Sequence, residues 1–391
     1  MTETLDAIHF NEYGVKSEVI AESPLRIHLV GEHSWFFGDR TLAVAVSKYA
    51  KLSFSKRSDS VVNFFFYQNK ERKHINLGNL KIRKEDKLLN ILKAVVYACQ
   101  TLDYNISGMD ITFSCEIPPQ AGFGVRNALL VASTLGVMKL FDLPLENELA
   151  LKIMKIACTD YLSLPYWISD LYTALYSKKG SCVLTDYATG SYDLIPFDFE
   201  DSVLVLTDCK VPRISLWQEN SLHIEKYKNM LASLKKKRMG QIVYEDSMTE
   251  INEVLTGITE EERRRLLCII KEYQNVNDAV QALRNKSLNA FVKVINRSQD
   301  ILRDLFQISS PEVDWFSKRV QEFDAGKIND SSSCLRITGK GDGRCTFAFM
   351  KKSDVETYRQ KLVEYEKIFG FHPIEYEVET ADGARAYFFE N

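Results

Sequence analysis

The chain has 391 residues, 45% of them hydrophobic, and its 50 Lys and Arg against 53 Asp and Glu leave a formal net charge of −3. That length is enough for two domains with substantial cores, and the balanced charge supplies no basic field of the kind that draws nucleic acid or acidic lipid. The N-terminus, MTETLDAIHFNEYG, lacks a basic region followed by an apolar run, and no stretch reaches the ~18 apolar residues of a membrane span. The expected setting is the cytoplasm and the expected partners are small molecules, with no nucleic acid, no membrane and no protein partner named by the sequence.

The first informative stretch runs from Ser23 to Arg40, SPLRIHLVGEHSWFFGDR. Leu25, Ile27 and Leu29 alternate with Arg26 and His28, the period-two pattern of a half-buried strand. Gly31 breaks it, and Glu32, His33 and Ser34 follow on a short turn before the bulky pair Trp35 and Phe36. Polar chemistry on a loop held by a strand is site-like; an ordinary strand and turn with one surface histidine is the competing reading. Thr41 to Phe54 and Val61 to Gln68 continue as strand, Lys87 to Thr101 has helical spacing, and Met109 to Ile117 alternates again.

Pro118 to Leu140 reads as a glycine turn leading into a helix, with Val131, Leu135 and Met138 at i, i+4 and i+7. Strand, glycine turn and helix aim free backbone N–H groups at an anion, although such a turn is also found as a mere turn. Asp170 lies in the apolar-flanked helix WISDLYTALY, where it is either buried and in need of a partner or on the solvated side. A strand follows Gly180. From about Asp201 the character changes: the strand DSVLVLTDC leads into a long helical region, with a capping box from Thr259 to Glu262 and helical periodicity to about Phe323. The run Lys235 to Arg238 reads as a solvated helix end.

Leu335 to Met350 is a strand, a loop with Gly339, Gly341 and Gly343, and a second strand, suited either to close backbone approach to a ligand or to a β connection. Phe371 to Phe389 supplies a final pair of strands, expected to close an α+β second domain. The eight cysteines, Cys158 among them, show no CxxC spacing, and the six histidines form no HxxxH pair. The cysteines read as reduced core residues and the histidines as dispersed ones, not as a disulfide frame or a His/Cys metal site.

Taken in order, these segments resemble galactokinase, of the GHMP small-molecule kinase superfamily, over nearly the whole chain. HFNEYG resembles the entry segment. PLRIHLVGEHSWFFGD resembles the signature PGRVNLIGEHTDYNGG, and IPPQAGFGVRNALLVA resembles the phosphate loop PIGAGLSSSAALEVA. DYLSLPYWISDLYTALYSKKGSCVLTDY resembles the segment that carries the catalytic aspartate. RRLLCIIKEYQNV and NRSQDILRDLFQISSPEVDWF resemble second-domain helices, and LRITGKGDGRC resembles RMTGGGFGGC.

The resemblance implies an α+β, two-domain GHMP-kinase fold. Residues 1–200 would form an N-terminal α/β domain with a mixed sheet, and 201–391 a ferredoxin-like α+β domain, with the active cleft between them. It implies ATP-dependent phosphoryl transfer to the anomeric hydroxyl of a sugar. Asp170 matches the proton acceptor, and Arg26 matches the cation that keeps it ionised and stabilises the phosphoryl group. Glu32 and His33 match sugar-site residues. Gly122, Gly124, Arg126, Gly339, Gly341 and Gly343 fall in the nucleotide-binding motifs.

Several positions depart from the pattern. Trp35 stands where a sugar-binding carboxylate is found, and Asn220 where a tyrosine closes the pocket, so an altered acceptor is expected. Gly124, Val125 and Arg126 replace the triple serine, Gln120 replaces the leading glycine, and Cys158 replaces the glutamate that helps hold Mg²⁺. ATP is the expected cofactor, and the site of Mg²⁺ is depleted of its family ligands at Val125, Arg126 and Cys158. Two readings stand: a sugar kinase with a weakened Mg–phosphate site, and a catalytically inactive galactokinase-like binding or sensor protein. Arg126 at the helix start either points to solvent or meets a phosphate in place of the metal.

Overall fold

The computed structural model describes residues 4–34, 39–212, 256, 258–324, 331–339 and 344–389. The first half runs α1 (Leu5–Tyr13), β1 (Val19–Val30), β2 (Arg40–Lys56), β3 (Val61–Phe66), β4 (Glu71–Asn76), α2 (Leu89–Thr101) and β5 (Met109–Cys115). It continues with α3 (Val125–Leu140), α4 (Asn147–Ile156), α5 (Ile168–Tyr176), β6 (Ser181–Asp186) and β7 (Ser191–Pro196). The second half contains β8 (Ser202–Asp208), α6 (Glu260–Arg284), α7 (Leu288–Ile301), α8 (Pro311–Gln321), β9 (Cys334–Ile337), β10 (Cys345–Lys351), α9 (Val355–Phe369), β11 (Ile374–Val378) and β12 (Arg385–Phe388).

These elements make two sheets. The eight-stranded sheet runs β12-β1-β2-β5-β3-β4, with β6 on β2 and β7 on β6; β3 and β5 are parallel and the other pairs antiparallel. The four-stranded sheet, β11-β8-β10-β9, is antiparallel throughout. Two sheets, one mixed and one antiparallel, with helices on them, give the α+β organisation expected. Among the described residues no helix is long and apolar enough to cross a membrane.

Local chemistry explains the main boundaries. The capping box opens α6 as expected: the Glu262 N–H donates to Thr259 Oγ1, and the Thr259 N–H donates to Glu262 Oε2 at 3.0 Å. Gly31, at φ +90°, ends β1 where a Cβ would come within 2.5 Å of both the Arg40 carbonyl oxygen and Val276 Cγ2, so only glycine lets the turn lie against α6. α3 packs on β1 and β2, and α5 packs on β1.

β1 was expected to be half-buried, but it is buried along its whole length. The alternation is real and both faces are covered, because Arg26 and His28 point at another helix instead of at water. A second correction concerns the C-terminus. β11 joins the second sheet, but β12 pairs with β1 in the first, Val19 opposite Phe388 and Glu22 opposite Arg385. The edge of β1 is satisfied by the chain's last strand, locked by the bond from Arg385 Nε to Glu22 Oε1 at 2.6 Å. Alternation marks a strand without naming its partner.

The halves share a core. Phe197 from the first half, Phe291 of α7 and Phe349 of β10 pack with ring centroids 5.5 to 6.1 Å apart, inside a cluster that extends through α3 and β1. A second cluster lies between the four-stranded sheet and α8 and α9, with Phe316, Tyr358 and Tyr365 against Leu335, Ala348 and Met350. β1, α3 and α5 therefore share one apolar cluster with parts of the second half.

Candidate active site

β1 places Arg26 and His28 on one face, two residues apart. The first turn of α5 brings Asp170 to them, at a helix end whose dipole favours an anion. Arg26 Nη2 donates to Asp170 Oδ2 at 2.9 Å, His28 Nε2 lies 2.8 Å from Asp170 Oδ1, and the side-chain amide of Asn127 donates to Oδ2. Asp170 and His28 are fully enclosed and Arg26 is 7% exposed. The solvated alternative for Asp170 is thereby set aside. Arg26 Nε and Nη1 are buried with no hydrogen-bond partner among the described residues, an arrangement costly unless something polar meets them.

What lies beside Arg26 is a cavity of about 270 Å³, whose lining includes Arg26, Gly124, Arg126, Asn127, Cys158 and Arg344. Gly122 and Gly124 take left-handed φ of 87° and 83°, and Gly124 is the N-cap of α3, so this helix begins at the cavity wall. Helix-start N–H groups favour a negatively charged ligand. Arg126 is exposed and lines the cavity. Gly339 also lines the cavity, and a Cβ there would lie 3.5 Å from the Gly122 carbonyl oxygen, so the two glycine turns meet. Gly341 and Gly343 lie outside the described residues, as do Trp35, Asn220 and the run Lys235 to Arg238.

The other cations are accounted for differently. Arg344 donates from Nε and Nη2 to the two oxygens of Asp208 at 2.5 and 2.9 Å, and Lys210 Nζ donates to the same carboxylate at 2.7 Å. Burial pulls the Asp208 carboxyl upward, but the bonds from Arg344 and Lys210 prevail and hold it below its usual range. No ion pair to Arg126 occurs among the described residues.

Glu32 and His33 line another part of the junction. Glu32 is fully enclosed, with Arg336 Nη1 and Nη2 donating to its two oxygens, and His33 packs against Phe306 at 4.8 Å between ring centroids. Neither lines the cavity beside Arg26. Arg336 also donates to Glu272 Oε2 at 3.0 Å and to Ser298 Oγ at 2.7 Å, tying the turn after β1 to α6 and α7. Sequence reasoning passed over His28, Asn127 and Arg336. A signal existed for His28, two residues from Arg26 on the same strand face, and for Asn127, in the first turn after the glycines.

Mg²⁺ needs oxygen ligands in an octahedral array. Here the positions in question offer the apolar side chain of Val125, the cation of Arg126 and the thiol of Cys158, which sits in the π-helical turn Ala157–Tyr161. Burial, with the nearby Asp170 charge, pushes the Cys158 thiol up to about 11, so at neutral pH it is protonated and a poor metal ligand. Among the described residues no three His, Cys, Asp or Glu side chains cluster as a metal-holding group. This donor set does not fit the ion.

Residues 7–56 match the galactokinase galactose-binding signature family. A protein of Treponema pallidum, which its name assigns provisionally to the galactokinases, is 36% identical over 384 residues, covering 98% of this chain and 96% of that one. The galactokinase of Streptococcus thermophilus is 27% identical over 378 residues, 95% and 96% of the two chains. In structure, Lactococcus lactis galactokinase complexed with galactose superposes with a TM-score of 0.86 at 19% identity, over 97% and 98% of the chains. Methanococcus jannaschii mevalonate kinase gives 0.65 at 13% identity, over 94% and 99%.

Proposed function

Since the chain belongs to the galactokinase family, a family of ATP-dependent sugar kinases, we propose that it binds a nucleotide in the cavity beside Arg26 and transfers a phosphoryl group to the anomeric hydroxyl of a sugar, with an acceptor other than ordinary galactose and a weakened requirement for Mg²⁺. The observation that carries this reading is Arg26 itself. One nitrogen is paired with Asp170, and two buried nitrogens without hydrogen-bond partners among the described residues lie on the guanidinium that lines the cavity at the start of α3. A buried guanidinium with donors to spare suits an anionic group.

In the proposed reaction the anomeric oxygen attacks the γ-phosphorus. The new O–P bond forms as the bond to the β-phosphate oxygen breaks, ADP leaves, and the hydroxyl proton passes to Asp170. Arg26 stabilises the equatorial phosphoryl oxygens in transit, and Arg126 and the first turn of α3 neutralise the chain of phosphates. Glu32 and His33, with Trp35, are proposed to shape the sugar side, Gly122, Gly124, Gly339, Gly341 and Gly343 to let backbone approach the nucleotide, and the cytoplasm to supply both substrates.

A second reading is favoured by one observation. Asp170 is fully enclosed, and both its oxygens already face donors, which suits a binding protein that keeps the scaffold without turnover. Calorimetric titration of ATP with and without Mg²⁺, beside an assay of ADP release over a panel of hexoses, separates the two. Nucleotide binding with sugar-dependent ADP release supports the kinase; binding without release for any hexose supports the non-catalytic protein.

A further inference from the structure

The carboxylate of Asp170 is gripped from two elements other than its own. Arg26 and His28 come from β1, Asn127 from α3, and Asp170 itself from α5. Oδ2 accepts from Arg26 and Asn127, Oδ1 faces His28 at 2.8 Å, and Ser169 Oγ approaches Oδ1 at 3.5 Å. In the motifs quoted above, the letters aligned with His28 and Asn127 are asparagine and alanine. Two motifs far apart in the chain therefore each differ at the residue that meets this carboxylate, Asn127 adding a polar side chain where the motif has alanine and His28 setting an imidazole where it has an amide.

His28 is itself held in place. Its backbone N–H donates to Thr338 Oγ1, and its carbonyl accepts from the same hydroxyl, both at 2.9 Å. Thr338 precedes Gly339 and lines the cavity, as does Asn127. Both contacts to Asp170 thus run to the walls of the phosphate cavity, one through α3 directly and one through His28 to Thr338, just past the end of β9.

We infer that His28 and Asn127 are positioning residues for Asp170, acting as hydrogen-bond donors that fix the orientation of the carboxylate against the phosphate cavity. Neither is required to touch the sugar. A base held within tenths of an ångström gains from positioning alone, and misplacement of about 1 Å costs about 100-fold in rate. The charged and titratable neighbours of the cluster are Arg26 on the same strand, Glu32, whose carboxyl feels His28 and His33, Tyr187, which feels Asp170 and Arg26, and Cys158, whose thiol feels Asp170.

The kinetic arm of the test rests on the kinase reading; the spectroscopic arm does not. Asn127→Asp keeps the shape of the side chain but turns a donor into an anion facing Asp170, whereas Asn127→Ala only deletes it. A donor role predicts that kcat falls about tenfold or more in Asn127→Ala and further in Asn127→Asp, with sugar KM little changed and kcat partly retained in His28→Asn. A packing role predicts the opposite order, Asp milder than Ala, and that result overturns the inference. In ¹⁵N-imidazole spectra of the whole protein, the signal lost in His28→Asn identifies His28 among the six histidines. Its titration midpoint is expected to fall in Asp170→Asn, which removes the anion 2.8 Å from the imidazole. A midpoint unaffected by that substitution overturns the inference whether or not any sugar is turned over. If turnover is absent in the wild type while the midpoint moves, the kinase reading fails and the donor grip on Asp170 stands.

Discussion

Arg336 holds Glu32 through two parallel bonds, Nη1 to Oε1 at 2.7 Å and Nη2 to Oε2 at 3.0 Å, with both side chains fully enclosed at the junction of the two halves. Burial alone would raise the Glu32 carboxyl, but the charge of Arg336, then that of His33, and the bonds from Arg336 lower it from 4.5 to about 2. A depressed folded value contributes stability that is present above the unfolded value and is lost as pH falls through the folded one. The contribution of Glu32 should therefore be intact at pH 6 and fade between about pH 4.5 and 2. Arg336→Met takes the cation from two buried carboxylates, Glu32 and Glu272, and should cost about 3–5 kcal/mol or more, and the double change with Glu32→Gln should recover part of it. Urea melts of the single and double variants at pH 7 check this; additive losses would count against the pairing.

Gly124 gives a second prediction. Its φ is +83°, and a Cβ there would lie 3.2 Å from Arg26 Cγ and Nη1, tighter than ordinary contact. Restoring a serine at this position should therefore not rebuild a phosphate loop of the quoted kind. Gly124→Ser is expected to cost on the order of 1–2 kcal/mol of stability from backbone strain. It should also weaken ATP binding severalfold by shifting Arg26. Thermal melts and calorimetry read the two effects, and unchanged ATP affinity would show that Arg26 does not meet the nucleotide.

Much of the fold was legible because its strands and helices are strongly periodic. The helix after Gly124, the box at Thr259 and the strands around Gly339 all lie where the pattern placed them. What escaped was pairing at long range. Nothing local in Arg385–Phe388 says that it crosses back to β1, and nothing local in His28 says that its neighbour lies 142 positions on at Asp170. Glu32 shows the same limit: its motif made it a sugar-site candidate, while its carboxylate partner, Arg336, is separated from it by 304 positions. Polar alternation shows which residues share a face, and only tertiary structure shows what that face meets.

The sugar side yields a third prediction. Under the proposed function Trp35 stands at a position where the resembled motif has an acceptor of sugar hydroxyls, and a site built to bond a hydroxyl discriminates strongly when one partner is missing. Galactose is expected to bind the wild-type chain more weakly than micromolar, and Trp35→Asp to improve it by about tenfold or more. Titration of galactose into both proteins decides, and micromolar affinity in the wild type would refute the altered acceptor.

The last prediction joins Arg126 to Cys158, which line the same cavity. Exchange of a serine for Arg126 and of a glutamate for Cys158 shifts the local charge by about two units toward positive before any metal arrives. The Cys158 thiol, held up to about 11, does not return a negative charge at neutral pH. ATP affinity should therefore change little between EDTA and millimolar Mg²⁺. Arg126→Ser should weaken metal-free binding by about tenfold, the scale of one charge-assisted contact to a phosphate. Turnover should lie far below that of an ordinary galactokinase, because a single guanidinium does not clamp phosphate oxygens from several sides as an octahedral ion does. Arg126→Ser combined with Cys158→Glu should make ATP binding Mg²⁺-dependent again. Calorimetry of the double variant, with Mg²⁺ and with EDTA, is the measurement; equal affinities in the two buffers would show that these positions do not govern the metal site, and robust Mg²⁺-dependent galactose phosphorylation by the wild type would refute the whole metal argument.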